Sequence, residues 1–587
     1  MVYAKLNSIA LPLRKNKVMS LMSWALLYVA CSAFCVACSA FCVTCSALPF
    51  CVLRGLHYPL PMKLLRRITL LCLALLCVAC APSATLRALT GEEELAPQLR
   101  GVGHWVSGEL RPRPATETLG PVQHVSLYPY GINTFLQNET EPEKVERSLD
   151  LIAEAGFGWI RQEFTWEDIE IHHDEWYVDL RNNEIRNSWE KYDRIVALAE
   201  ARDLQIIARL SNPPAWSRAA GDANGAKAPP DHLADFGDFV DAVVRRYQGR
   251  ITYFQIWNEP NCCEEWGTQP VSPEQYTELL AVGYQRAKAA NPDAVILTAP
   301  LAQTIEMDYS PGGLNDFLFL QRMYNAGAAD YFDILAINDY GLWSGPTDRR
   351  MRPRVINYSR AEYLRDIMIR NGDREKPIWI SEMAWNSTPP ESGIYPNFGY
   401  VPEAQRGPYL VEAFERQQQE WPWAGVSSVW FFKQPTDEEI DQPQYYFRLL
   451  EPDFTPLPAW ETVGDYLAKS DPTLYRGWHA ADHWLLQAGM TPAPWAAVED
   501  ERATFGSYRV GQAGDALTVT VQGDRLELRF VDLTTPVQFT IQQDDGPVTM
   551  HEINDATDFQ IDLPDPPVTL TLTVVAGELP LDGVVIE

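Results

Sequence analysis

The chain reads as an α/β protein: a (β/α)8 barrel followed by a small C-terminal antiparallel β-sandwich. Three observations predict this. Between residues 121 and 470, short apolar runs alternate with helical periodicity eight times, the pattern of a parallel sheet whose strands are joined by helices. No Gly-rich phosphate turn follows the first of those runs, which argues against a doubly wound dinucleotide-binding sheet. From residue 503 to 587 the period falls to two, in runs such as ALTVTVQ, RLELRFV, VQFTIQQ and VTLTLTVV separated by Gly, Asp and Pro, which is the pattern of a sandwich.

The strands are expected at 125–133, 158–164, 204–210, 251–259, 294–301, 332–339, 377–385 and 426–434. Helical segments fill the gaps. Phe236, Phe239, Val240, Val243, Val244 and Tyr247 recur at offsets 0, 3, 4, 7, 8 and 11, one face of a helix. Ser272, Pro273 and Gln275 read as cap, first turn and capping box of the next helix, and Thr140 with Glu143 looks like a similar box before the first. Residues 471–502 read as a connector. The sandwich has no Trp or Tyr after Tyr508, so a structural or spacing role is expected of it rather than glycan stacking.

The 587 residues carry a formal net charge of −30. That balance argues against a nucleic-acid partner, because phosphate binding needs surplus Lys and Arg. The charge is uneven: residues 1–80 hold eight basic residues, no Asp or Glu, and nine of the eleven cysteines. Residues 62–80, MKLLRRITLLCLALLCVAC, have the basic start, short apolar run and small-residue end of a signal peptide. The ending resembles a bacterial lipobox, which implies lipidation of Cys80, with Cys77 where a Leu is usual. Residues 1–61 then read as sequence upstream of a true start at Met62, the alternative being a transmembrane helix at 19–47. Residues 81–120, rich in Pro, Glu, Arg and Thr, read as a linker to a membrane anchor.

Barrel chemistry sits at the C-terminal ends of the strands. Two of those ends carry a glutamate in an aromatic and amide-rich setting: Gln255-Ile256-Trp257-Asn258-Glu259-Pro260-Asn261 on the fourth strand, and Trp379-Ile380-Ser381-Glu382-Met383-Ala384-Trp385 on the seventh. A carboxyl pair is what glycosidic bond cleavage requires, one to protonate the leaving oxygen and one to attack or to activate water. Together with Trp166-Glu167-Asp168-Ile169-Glu170, Lys191-Tyr192-Asp193-Arg194 and Asn212-Pro213-Pro214-Ala215-Trp216, residues 125–465 resemble the clan A retaining glycoside hydrolases. Within the clan they are most similar to family 39 and its bacterial endo-acting relatives, with family 5 second. The resemblance implies Glu259 as acid/base and Glu382 as nucleophile. It also implies Asn258 on the sugar 2-hydroxyl, Arg161 beside the nucleophile, Tyr340 hydrogen-bonded to it, and Trp430 as the floor of the cleaved sugar's subsite. Trp216 and Trp385 are further candidates for sugar contact. Clan members often have His two residues before that tyrosine; here it is Asn338, which donates a hydrogen bond but cannot titrate. The implied partner is a poly- or oligosaccharide, and no cofactor or metal is called for. An inactive glycan-binding surface lipoprotein with the same barrel is the alternative.

Two weaker signals remain. His172-His173-Asp174 makes a poor metal site, and Cys262-Cys263 are either two thiols or a vicinal disulfide. After the sixth strand come Arg349, Arg350, Arg352, Arg354 and Arg360, five arginines in twelve residues. Such planar cations suit an anionic sugar; the alternative is pairing with the protein's own Asp and Glu.

Overall fold

The computed structural model describes residues 82–587 apart from 117–118, 174, 182–183, 263, 308–312, 534 and 565–566. The segments 1–61 and 62–80, and Cys80 with them, lie outside the described residues, as does Cys263 of the cysteine pair. No helix among the described residues is long and apolar enough to cross a membrane.

The barrel strands are β1 (Tyr130–Thr134), β2 (Trp159–Thr165), β3 (Gln205–Ser211), β4 (Tyr253–Ile256), β5 (Val295–Leu297), β6 (Leu335–Asn338), β7 (Ile378–Met383) and β8 (Ala424–Val429). They pair in the order β5-β4-β3-β2-β1-β8-β7-β6, all parallel. Parallel bridges Leu297–Ile334 and Leu301–Ile337 join β5 to β6 and close the ring. All eight lie inside or within two residues of the expected runs. Each is followed by a helix, and the one over Leu233–Arg246 buries Phe236, Phe239, Val240, Val243 and Val244 completely. The Ser272 side chain caps the helix Pro273–Ala290 by accepting from the Gln275 amide. The Thr140 box does not form: that helix starts at Pro142 with Glu141 at its cap and no side-chain bond, because proline already fixes the first turn.

Alternation along the strands fills the barrel in layers. Trp159, Ile207, Tyr253, Val295, Ile334, Trp379 and Val426 form an apolar floor. Two residues further along β2, β4 and β7 stand Arg161, Gln255 and Ser381, so a polar layer lies directly above that floor and below the mouth.

The C-terminal domain is a sandwich of two six-stranded sheets around a common core that includes Leu517, Leu528, Phe539, Leu572 and Val584. The stretch read as a connector belongs to it. Thr473–Leu474 pairs with Ala516–Val521 in one sheet, and Gly477–Ala480 with Leu579–Ile586 in the other. Trp484 docks this domain on the barrel, its ring 5.1 Å from Tyr128 and its amide donating to the Ser126 carbonyl.

The supposed linker is ordered as well. Residues 82–116 form a helical hairpin, α1 (Ala84–Thr90) and α2 (Leu95–Glu109), docked on the loop after β6. The Gly345 amide donates to the Gly91 carbonyl, the Arg349 amide donates to Leu89, and Arg87 pairs with Glu412. Gly91 sits at φ 63°, and a Cβ there would stand 2.7 Å from the Gly345 oxygen, so the turn requires glycine. The arginine-rich loop supplies the other side of this joint. Arg350 clamps Asp348 through two hydrogen bonds and pairs with Glu92. Arg349 pairs with Glu420 and Arg360 with Asp316. Of the two readings of those arginines, pairing with the protein's own carboxylates is the one the fold adopts for these three.

Arg350 is 4% exposed and its partner Asp348 is fully buried. Removing one member of a buried pair strands the other charge, at a cost of about 3–5 kcal/mol. Arg350→Ala is therefore expected to lower the urea midpoint sharply, and a surface variant such as Arg113→Ala to leave it in place.

Candidate active site

Arg161 occupies the centre of the polar layer, 2% exposed. Its Nε donates to Gln255 Oε1 (2.8 Å) and its Nη1 to Asn133 Oδ1 (2.7 Å) and Glu382 Oε1 (3.0 Å). Its Nη2 donates to Asn258 Oδ1 (2.9 Å). Burial lowers its pKa and the Glu382 charge opposes that shift, but guanidinium stays charged throughout any accessible pH. The contact to Asn258 also fixes that amide: with its oxygen turned to Arg161, its NH2 is the end left for a ligand.

Glu382, 4% exposed, accepts three hydrogen bonds. Arg161 takes Oε1, while the Tyr340 hydroxyl (2.6 Å) and Asn338 Nδ2 (3.1 Å) take Oε2. Burial, with the Glu382 charge second, holds the Tyr340 phenol well above its ordinary pKa, so it remains a donor. Gln303 secures Tyr340 from behind by accepting from its backbone amide at 2.8 Å.

Glu259 stands just beyond β4 on a kinked backbone, with Trp257 at φ 73° and Glu259 at φ 35°. Such left-handed conformations are costly for residues with side chains and concentrate at functional sites. Its carboxyl is half-buried beside the cleft and accepts from Asn338 Nδ2 at 2.7 Å. Burial first, and the nearby charges of Glu382 and Glu265 next, push its pKa up to about 8. One amide nitrogen thus reaches both carboxyl groups, and the two oxygens it touches lie no more than 5.8 Å apart, the sum of its two distances.

The cleft around this pair is about 320 Å3, lined by Phe135, Glu163, Arg209, Asn258, Glu259, Glu382 and Trp430 among others. Its two cations are each paired with a carboxylate, Arg209 with Glu163 at 3.0 Å and Lys227 with Glu265 at 2.5 Å. Trp430 presents its ring at right angles to Phe135.

Two candidates fall elsewhere. Trp385 is 1% exposed, its indole N–H donating to the Ser344 carbonyl, because the chain after β7 turns it down onto Tyr409 and Tyr358. Trp216 is spent on Trp166, His173 and the Glu170 carbonyl. Neither lines the cleft. Asn133, Gln255, Glu163 and Arg209 are site residues that sequence reasoning passed over. The available signal was a polar residue at every second position of an otherwise buried strand, as in Arg161 and Glu163 of β2.

Residues 124–310 match the family model described as Cellulase (glycosyl hydrolase family 5). Similar solved structures include a family 39 glycoside hydrolase from the gut symbiont Bacteroides cellulosilyticus, 18% identical over 78% of this chain and 83% of its own, TM-score 0.42. A family 39 β-xylosidase from Caulobacter crescentus is 15% identical over 78% and 98%, TM-score 0.41. A glucosidase from Croceicoccus marinus is 14% identical over 79% and 98%, TM-score 0.43. No curated protein matches the chain.

The raised pKa of Glu259 fixes the direction of a pH effect. A general acid must be protonated to assist a leaving group, so an activity that uses Glu259 in this way falls as pH rises through that pKa. The Asn338 bond favours the ionised form. Asn338→Ala should therefore move the alkaline limb to higher pH by about one unit, the equivalent of one hydrogen bond of ~1.4 kcal/mol. A limb that stays in place or moves down contradicts the assignment.

Proposed function

We propose that the protein is a retaining glycosidase that cleaves O-glycosidic bonds of an oligo- or polysaccharide by double displacement, with Glu382 as nucleophile and Glu259 as acid/base. The observation that carries this is the shared Asn338 amide. It brings one oxygen of each carboxyl group to a single donor, a close approach that favours the short spacing of a retaining pair, about 5–5.5 Å between carboxyl groups, over the wider one of an inverting pair.

In the first step a Glu382 oxygen attacks the anomeric carbon while Glu259 gives its proton to the departing oxygen. Arg161 and Tyr340 hold Glu382 so that one lone pair faces the sugar, and positioning of this kind is a large part of the rate gain. Asn258, its NH2 free, meets the 2-hydroxyl, and Trp430 lies beneath the ring. Forming the glycosyl ester removes the Glu382 charge, the second cause of the high Glu259 pKa. Glu259 therefore becomes more acidic between the steps and remains ionised as base. It then takes a proton from water, whose oxygen attacks the anomeric carbon and frees Glu382. The inactive glycan-binding alternative is the weaker reading, since both carboxyl groups and their donors are in place.

The reading also takes the enzyme to be exported and held at a membrane surface by a lipid on Cys80, which the signal-peptide sequence of residues 62–80 supports. Cys80→Ser is then expected to shift the protein from the membrane to the soluble fraction, and unchanged partitioning rejects the lipid anchor.

Glu382→Ala should abolish turnover. Glu259→Ala should cost about 10²–10⁴ on unactivated glycosides and little where the leaving group is a good one. Proton NMR of the first-formed product decides the stereochemistry: retention is expected, and an inverted anomer refutes the mechanism.

A further inference from the structure

Three aromatic side chains stand in solvent on the loops after β6 and β7: Trp343 at 61% exposure, Tyr395 at 78% and Phe398 at 39%. A barrel of this kind opens its catalytic site on that same face, and an exposed apolar cluster there marks a binding surface more often than chance. The two loops are pressed together. Gly399, at φ 76°, has Leu342 backbone atoms 2.4 to 2.7 Å from where its Cβ would be, so only glycine lets the segment carrying Tyr395 and Phe398 lie against the residue before Trp343.

A ladder of rings joins this surface to the catalytic pair. Phe398 lies 5.6 Å from Phe447, and Phe447 lies 5.5 Å from Tyr340, whose hydroxyl donates to Glu382. The cleft already described is walled by residues from the β1, β2, β3, β4 and β8 ends, with Glu382 as its one residue from β7. The aromatic group lies on the β6 and β7 loops, so it extends the site outward from Glu382 into a sector whose loops those walls do not include. Among the described residues, Trp343 and Tyr395 make no ring contact that would account for them as core.

We infer that Trp343, Tyr395 and Phe398 form a stacking platform for a sugar chain that continues beyond the residues at the scissile bond, so that the substrate is a glycan of more than two units. The inference rests on the glycosidase reading of the same site and adds to it the length of the substrate. The chemistry favours a glycan over another partner. A pyranose presents an apolar C–H face that packs on a flat aromatic ring, and amphipathic rings such as Trp and Tyr bind groups that are apolar on one side and wet on the other. The cleft's lining cations, Arg209 and Lys227, are already paired with Glu163 and Glu265, which suits an uncharged chain better than an anionic one.

The test is calorimetric titration of the Glu382→Gln protein with β-1,4-linked di- and hexasaccharides of glucose, xylose and mannose. Binding without turnover separates this claim from the mechanism. Affinity should rise from the disaccharide to the hexasaccharide of at least one sugar. Adding Trp343→Ala or Tyr395→Ala should each remove about tenfold of that gain, the scale for truncating one well-used aromatic anchor. Both side chains are exposed, so unchanged thermal melting is expected to accompany the loss. Affinity that does not rise with length for any of the three sugars, or a gain that survives both substitutions, overturns the platform. Wild-type protein that binds the chains in this way but never cleaves them overturns the catalytic reading and leaves the platform standing.

Discussion

Everything at the mouth of this barrel depends on one buried cation. Taking the Arg161 guanidinium out of water costs several kcal/mol unless its donors are satisfied, and the fold meets that demand from four directions. Asn133 from β1, Gln255 from β4, Asn258 beyond β4 and Glu382 from β7 all accept from it. Three of these are amides, which add no charge, so a single carboxylate balances the arginine. The other buried cation beside the pair, Arg209, is already matched by Glu163, so a second carboxylate in that layer would be repelled by the first with no unpaired cation to hold it. Glu259 accordingly sits above the layer, touching Asn338 rather than Arg161.

The same economy governs the loop that carries Tyr340. Its outer part is held by the helical hairpin through Gly91, Arg87 and Glu92, and its inner part by Gln303. The hairpin thereby bears on a segment that begins with a hydrogen-bond donor to Glu382. The sandwich, by contrast, meets the barrel through Trp484 and the Ser126–Tyr128 stretch at the start of β1, away from the carboxyl pair.

Much of this was legible because strand ends are conspicuous in sequence. Apolar runs located all eight strands, and a glutamate flanked by Trp and Asn stood out at two of them. The hairpin was not legible, for a definite reason. Its buried side are Leu86, Thr90, Gln98 and Gly101, so only one large apolar residue marks the docking face. The rest is hydrogen bonding and close approach, as where Gly101 meets Thr90. Hydrophobic periodicity cannot report such a helix. Trp385 misled in the opposite sense: a tryptophan two residues from a strand end looks exposed to the mouth, but the loop folds it inward onto Ser344. Asn133 and Gln255 were silent because an amide in a strand gains meaning only when the arginine it serves is known.

The presence of Asn338 where a titratable ring is common has a consequence for how the field inside the site behaves. An amide dipole keeps its size and orientation whatever the pH, and here it is pinned between two acceptors. In the proposed double displacement only the carboxyl groups change charge, while Arg161, Tyr340, Asn258 and Asn338 present the same donors throughout. Such an environment has little to rearrange when charge moves from one carboxylate to the sugar and back, and a low reorganisation cost is what makes preorganised dipoles effective.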